Sequence, residues 1–235
     1  MTNNDFISLK LSSGEEMDAF LSFPEENPNQ AGIILLQEAF GVNHHIQNIA
    51  KNLSEEGYTV LAPDLFHRTI KKADLDYGNF QAVMPHFQAI TNDGLKIDLT
   101  ACFEFLKNEI TWIKSEKIAS LGYCLGGRVS FLANAFLPLA AGVSYYGGGL
   151  ENQTRLASDI HGPHLFFWGG KDKNITPEKR GAIIQAMDES EKDYVNVVFS
   201  FADHAFNCDE RANFNAQASK DAWALCLSFL SQKLQ

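Results

Sequence analysis

Basic charge is scarce in this 235-residue sequence: 19 Lys and Arg stand against 29 Asp and Glu, a formal net charge of −10. Nucleic-acid binding needs a clustered basic surface, so that class of partner is not expected. An anionic membrane surface is excluded on the same ground, and no apolar run approaches the roughly 20 residues of a spanning helix. The opening MTNNDFISLK has no basic segment leading into an apolar one, so no secretory leader is expected and the cytoplasm is the expected compartment. Cysteines number only 4, Cys102, Cys124, Cys208 and Cys226, with no CxxC and no paired spacing. They should be free thiols. Repeats, low-complexity tracts and linkers are also missing, so residues 1–235 read as a single domain.

What is present is a strand–helix rhythm. Residues 6–11 and 17–23 alternate and flank a Ser-Ser-Gly turn, as an antiparallel pair would. Continuous apolar runs at 31–37 and 58–62, with further strands at 117–121, 141–146, 165–168 and 194–201, suit a sheet buried on both faces. Helices are predicted from Asn43 to about Glu56, over 93–108, 125–136 and 177–188 (opening on a proline), and over 214–230. Residues 64–93 carry little periodicity and read as an irregular excursion over the site with one short helix. Strands alternating with helices imply an α/β fold, a mostly parallel sheet with helices on both faces. Chemistry in such sheets lies beyond the carboxyl ends of the strands.

The strongest signal there is Gly122-Tyr123-Cys124-Leu125-Gly126-Gly127, between a predicted strand and a predicted helix. A nucleophile on a sharp strand-to-helix turn needs glycines around it, because side chains would strike the neighbouring backbone. The helix N-terminus favours a thiolate and a developing oxyanion. The bland alternative is a small buried cysteine in a glycine turn. A phosphate loop fails because Arg128-Val129 stand where Lys-Ser/Thr is required. A cysteine phosphatase fails because only three residues separate Cys124 from Arg128. An acid and a histidine should follow the nucleophile in chain order. Asp172 lies after the strand at 165–168 and His204 after the last strand. Asp203 adjoins His204 and should point elsewhere. The third strand runs into Gln37-Glu38-Ala39-Phe40-Gly41, where Ala39 is the expected second oxyanion donor beside Leu125, each through its backbone N–H. Glu38 is costly to bury unpaired. It either forms a salt bridge, to Arg68 or Arg128, or sets its carboxylate against the Cys124 thiol. His161 with His164, and His204 with Cys208, have metal-like spacing, but no motif fixes a further ligand and no metal is expected. His44-His45 read as a solvated helix start, and Tyr145-Tyr146 either line a pocket or pack.

QEAFG, APDLF, GYCLGG, YYGGG, GGKD and DHAF, in that order over residues 31–230, resemble the dienelactone hydrolase family of α/β-hydrolases. The resemblance implies an eight-stranded sheet in a three-layer αβα sandwich. It implies a Cys124, His204, Asp172 triad, Glu38 on the thiol, and opening of a lactone or ester through an acyl-cysteine with no cofactor. Two departures stand out. Family enzymes that open true dienelactones carry an arginine four residues after the histidine, where this chain has Cys208. Their other arginine and tyrosine fall in the excursion, which here offers Arg68, Tyr77 and His86. Phe40, Arg68 and Tyr145 are the substrate-binding candidates, and the expected partner is one small molecule on a monomer. Two other readings remain at this point: a small-molecule-binding module with an idle triad, and a redox-sensing thiol that lacks a nearby resolving cysteine.

Overall fold

The computed structural model describes residues 3–26 and 28–235; what was said of residues 1 and 2 lies outside them. Eight strands, mostly parallel, with flanking helices, make an α/β architecture. The chain divides into two compact units, one up to Ile118 and one from Ala119 onward.

In the first unit, β1 (Asp5–Lys10) and β2 (Glu16–Ser22) pair antiparallel with Leu9 opposite Met17. β2 also pairs antiparallel with β4 (Thr59–Pro63), and β4 pairs parallel with β3 (Gly32–Leu36). Every residue of β3 and β4 is buried, as their almost wholly apolar composition favours; the exception, Thr59, accepts a hydrogen bond from Trp112 Nε1. Helix α1 (His44–Glu55) starts where the Asn43 side chain accepts the Ile46 N–H, and it packs on β2 and β4. Here the two histidines part. His44 is exposed but His45 is buried, because one residue turns a helix by about 100° and carries the second ring onto the apolar face.

The excursion does hold one short helix, α2 (Phe80–Gln88), before α3 (Asn92–Asn108). It is irregular but tied down by two buried carboxylates. Asp64 accepts the backbone N–H groups of Phe66 and Lys72. Asp98, 1% exposed on α3, takes the Arg68 guanidinium on both oxygens at 2.7 and 2.8 Å, with His67 Nε2 at 3.3 Å. Burial raises the Asp64 carboxyl, and its two backbone donors oppose that.

The second unit is parallel throughout: β5 (Ile118–Tyr123), β6 (Ala141–Tyr145), β7 (His164–Gly169) and β8 (Tyr194–Phe199) follow in order. Helix α4 (Leu125–Phe136) packs on β6, and α6 (Ala216–Lys233) packs on β6 and β7. α5 (Pro177–Glu189) opens on its proline with Thr176 as cap. The last strand is apolar in sequence yet half exposed, with Val195 and Val198 each 45% accessible. It ends the strand order, so only one neighbour covers it.

Candidate active site

Cys124 sits between β5 and α4 with φ 54° and ψ −111°, outside the regions that L residues favour. The turn that imposes this is tight: a Cβ on Gly122 would lie 2.0 Å from the Gly126 carbonyl oxygen. No side chain larger than hydrogen fits there, which is the physical content of the G-x-C-x-G spacing. The Cys124 N–H donates to the Tyr145 carbonyl at the end of β6, at 3.0 Å. Leu125 begins α4, so its N–H is among those a helix leaves without an intrahelical acceptor.

His204 follows β8, and Asp172 follows β7. The His204 ring places Nε2 3.2 Å from Cys124 Sγ and Nδ1 2.7 Å from Asp172 Oδ2. The other Asp172 oxygen accepts the N–H groups of Asn174 and Ile175. The three side chains are therefore one hydrogen-bonded chain, with the carboxylate fixed on both oxygens. Asp203, the sequence neighbour of His204, turns back to accept the His204 N–H and takes no part in it. The Tyr146 ring lies 5.1 Å from the imidazole, centroid to centroid. Tyr146 and Ala205 have φ of 38° and 62°, so positive backbone angles cluster around this chain, as strain does at active sites.

Burial opposes charge on His204, but Cys124 and the Asp172 carboxylate outweigh it and push the imidazolium up to about 10. Burial raises the Asp172 carboxyl, yet His204 and the two backbone donors bring it below its ordinary value. Arg128, one turn into α4, is lowered by burial against the opposing pull of Cys124 and Glu151.

Other residues named from sequence have different surroundings. Tyr145 is a packing residue: its ring is fully buried against Tyr123 and Phe167, and its hydroxyl donates to the Ala222 carbonyl. Its backbone carbonyl is what serves the elbow. In the first unit, Arg68 is committed to Asp98 and reaches Glu15 at 3.4 Å. Phe40 is buried and tilts against Tyr77 at 4.5 Å. Glu38 and Ala39 are 1% and 2% exposed just beyond β3. Cys208 is buried, and among the described residues none of the four cysteines is in a disulfide. His161 and His164 both bond to Asn134, and among the described residues no group of three or more possible metal ligands occurs. Sequence reasoning missed that Ser144 and His164 meet at 2.8 Å. The available signal was a hydroxyl and an imidazole inside strands otherwise made of apolar residues, where each must find a partner. Among the described residues no helix is long and apolar enough to cross a membrane.

Comparison with known proteins places the chain in a family. A protein of Yersinia pestis named "Putative carboxymethylenebutenolidase" is 30% identical, over 94% of this chain and 85% of its own. One of the same name from Saccharolobus solfataricus is 30% identical over 93% and 95%. The solved structure titled "Crystal Structure of Putative Dienelactone Hydrolase from Klebsiella pneumoniae subsp. pneumoniae MGH 78578" is 28% identical. It superposes with a TM-score of 0.85, over 97% of this chain and 100% of that one. Residues 17–234 match the dienelactone hydrolase family, and the chain is a hydrolase that belongs to it.

Proposed function

We propose that this chain is a cysteine hydrolase that opens a small carboxylic ester or lactone through an acyl-cysteine. The observation that carries the reading is the hydrogen-bonded Cys124–His204–Asp172 chain, with Cys124 on a strained strand-to-helix turn. The Cys124 thiolate attacks the carbonyl carbon and its electron pair moves onto oxygen. The N–H groups of Leu125 and Ala39 receive that oxyanion; losing one such donor typically costs about 10²–10³ in rate. Collapse breaks the carbon–oxygen bond, and His204 Nε2 protonates the departing alkoxide, which in a lactone stays tethered. The neutral imidazole then takes a proton from water, whose oxygen attacks the acyl-cysteine and releases the acid and the thiolate. Asp172 holds the ring so that Nε2 faces the sulfur throughout. Glu38, which the family resemblance sets on the thiol, either accepts the thiol proton or restrains the thiolate until substrate arrives. No cofactor enters these steps, and the partner is one small molecule on a monomer acting in the cytoplasm.

The substrate differs from a true dienelactone. Cys208 stands where the family's carboxylate-gripping arginine would be, and a buried thiol does not hold a carboxylate. The test is hydrolysis of p-nitrophenyl acetate by the unaltered protein and by Cys124→Ala. Turnover abolished by the substitution is expected. Equal turnover in both would mean another nucleophile. Turnover in neither, followed by the same result across a lactone panel, would leave a binding module.

A further inference from the structure

Behind the elbow lies a second chain of polar side chains that the proposed chemistry does not use. Asn134, Ser144 and His164 are each fully buried. Ser144, on β6, bonds the carbonyl of Gly127 in the first turn of α4 and lies 2.8 Å from His164 Nε2. His164, the first residue of β7, has Nδ1 3.2 Å from Asn134 Nδ2. Asn134, near the end of α4, also donates to the Gly162 carbonyl at 2.8 Å and accepts the Gly162 N–H at 3.0 Å.

Counting hydrogens fixes every direction. The Gly127 carbonyl can only accept, so the single Ser144 hydrogen goes to it. His164 Nε2 must then donate to the Ser144 oxygen. A neutral imidazole carries one N–H, so Nδ1 accepts, and the second Asn134 amide hydrogen is there to supply it. The imidazole is neutral because burial pushes it down to about 3. Its ring lies against Phe131 and Phe166, over Gly142, where a Cβ would come within 2.4 Å of Nδ1.

We propose that Asn134, His164 and Ser144 form a positioning relay that ties the two ends of α4 to β6 and β7 and so sets the Cys124 sulfur against His204. The tie is placed where that placement is decided. Consecutive residues of β6 grip the elbow on both sides, Tyr145 through the Cys124 N–H and Ser144 through the Gly127 carbonyl. If the relay is cut, the first turn of α4 loses one of its two anchors. The sulfur and the Leu125 N–H then lose their shared orientation. This inference deepens the hydrolase reading and rests on it, so its test includes a readout independent of turnover.

That readout is the rate of Cys124 alkylation by iodoacetamide against pH, followed by peptide mass. Ser144→Ala, His164→Leu and His164→Gln are compared with the unaltered protein, and ester turnover is measured beside it. Expected for Ser144→Ala and His164→Leu is a kcat about tenfold lower, with KM within about twofold, since small misplacements at the reacting atom act on kcat. The pH profile of alkylation should shift as the 3.2 Å contact between His204 and the sulfur loosens. His164→Gln keeps an N–H near the Nε2 position and should recover most of both effects. Variants that melt earlier but keep the wild-type alkylation profile and kcat would overturn the proposal, as would a Gln variant no better than Leu. Should the variants fail to fold, imidazole nitrogen NMR on the unaltered protein decides. The relay requires one Nε2–H tautomer, unchanged from pH 5 to 8; an Nδ1–H tautomer or a titration in that range refutes it. Absence of ester turnover would count against the hydrolase reading alone, because the alkylation profile is still measurable.

Discussion

Asp172 shows how much a single residue decides. One of its oxygens is spent on the Asn174 and Ile175 N–H groups, so only the other faces His204. In Asp172→Asn the carboxamide oxygen keeps the backbone donors and the NH₂ turns toward Nδ1. Two donors then meet, and the imidazole must present Nδ1 as an acceptor and place its hydrogen on Nε2. In that neutral tautomer the ring can no longer accept a proton at Nε2. We expect kcat for ester hydrolysis to fall by about 10²–10⁴. The His204 imidazolium should also drop below its value of about 10, because one of its stabilising partners is gone. Steady-state kinetics and a histidine NMR titration check the two halves; an unchanged His204 titration would show that the thiolate alone holds the proton. Cys124, Asp172 and His204 were legible at this scale because chain order and glycine spacing are linear properties. The packing of Tyr145 was not. A tyrosine at a strand end is equally suited to lining a pocket, and only the neighbouring rings decide.

At the scale of elements, boundaries followed local chemistry. The helix expected over 125–136 is α4 itself, since the glycine turn starts it and the Pro138 region stops it. The final helix starts at Ala216, two residues later than expected, because Asn215 caps it by accepting the Ala218 N–H at 3.0 Å. Asn215→Ala should cost about 1 kcal/mol of stability, read as a lower urea midpoint with unchanged slope, and leave kcat alone. A neutral result would mean that the packing of α6 on β6 and β7 holds its first turn. The excursion was the least legible element. Its order comes from Asp64 and Asp98, whose partners Lys72, Arg68 and His67 are placed by tertiary contact and follow no periodic pattern.

For the whole molecule, two histidines displaced in opposite directions shape stability against pH. His164 is pushed down to about 3 from an ordinary 6.5, so between those values the unfolded chain binds the extra proton. Its contribution is present above pH 6.5 and is lost as pH falls toward 3. His204 is pushed up to about 10, so its contribution is full below pH 6.5 and is lost as pH rises toward 10. The stability maximum should therefore lie near pH 6.5, with each arm sloping by at most about 1.4 kcal/mol per pH unit from these groups. Thermal melts from pH 4 to 10 test this. His164→Gln should flatten the acid arm and His204→Gln the alkaline one, and arms unchanged by both would assign the slopes to other groups.

The amino-acid sequence by itself determined the alternation of strands and helices, the buried central strands and the Cys124, Asp172, His204 order. Each depends on composition, periodicity or spacing along one dimension. Tertiary structure decided the rest: that His204 bridges sulfur and carboxylate at 3.2 and 2.7 Å, that Tyr145 packs, that Arg68 is held by Asp98, and that Ser144 and His164 stand behind the elbow. These depend on which buried polar atoms meet across strands and helices far apart in the chain. A buried polar group must find a partner wherever the fold brings one, and sequence spacing does not encode that distance.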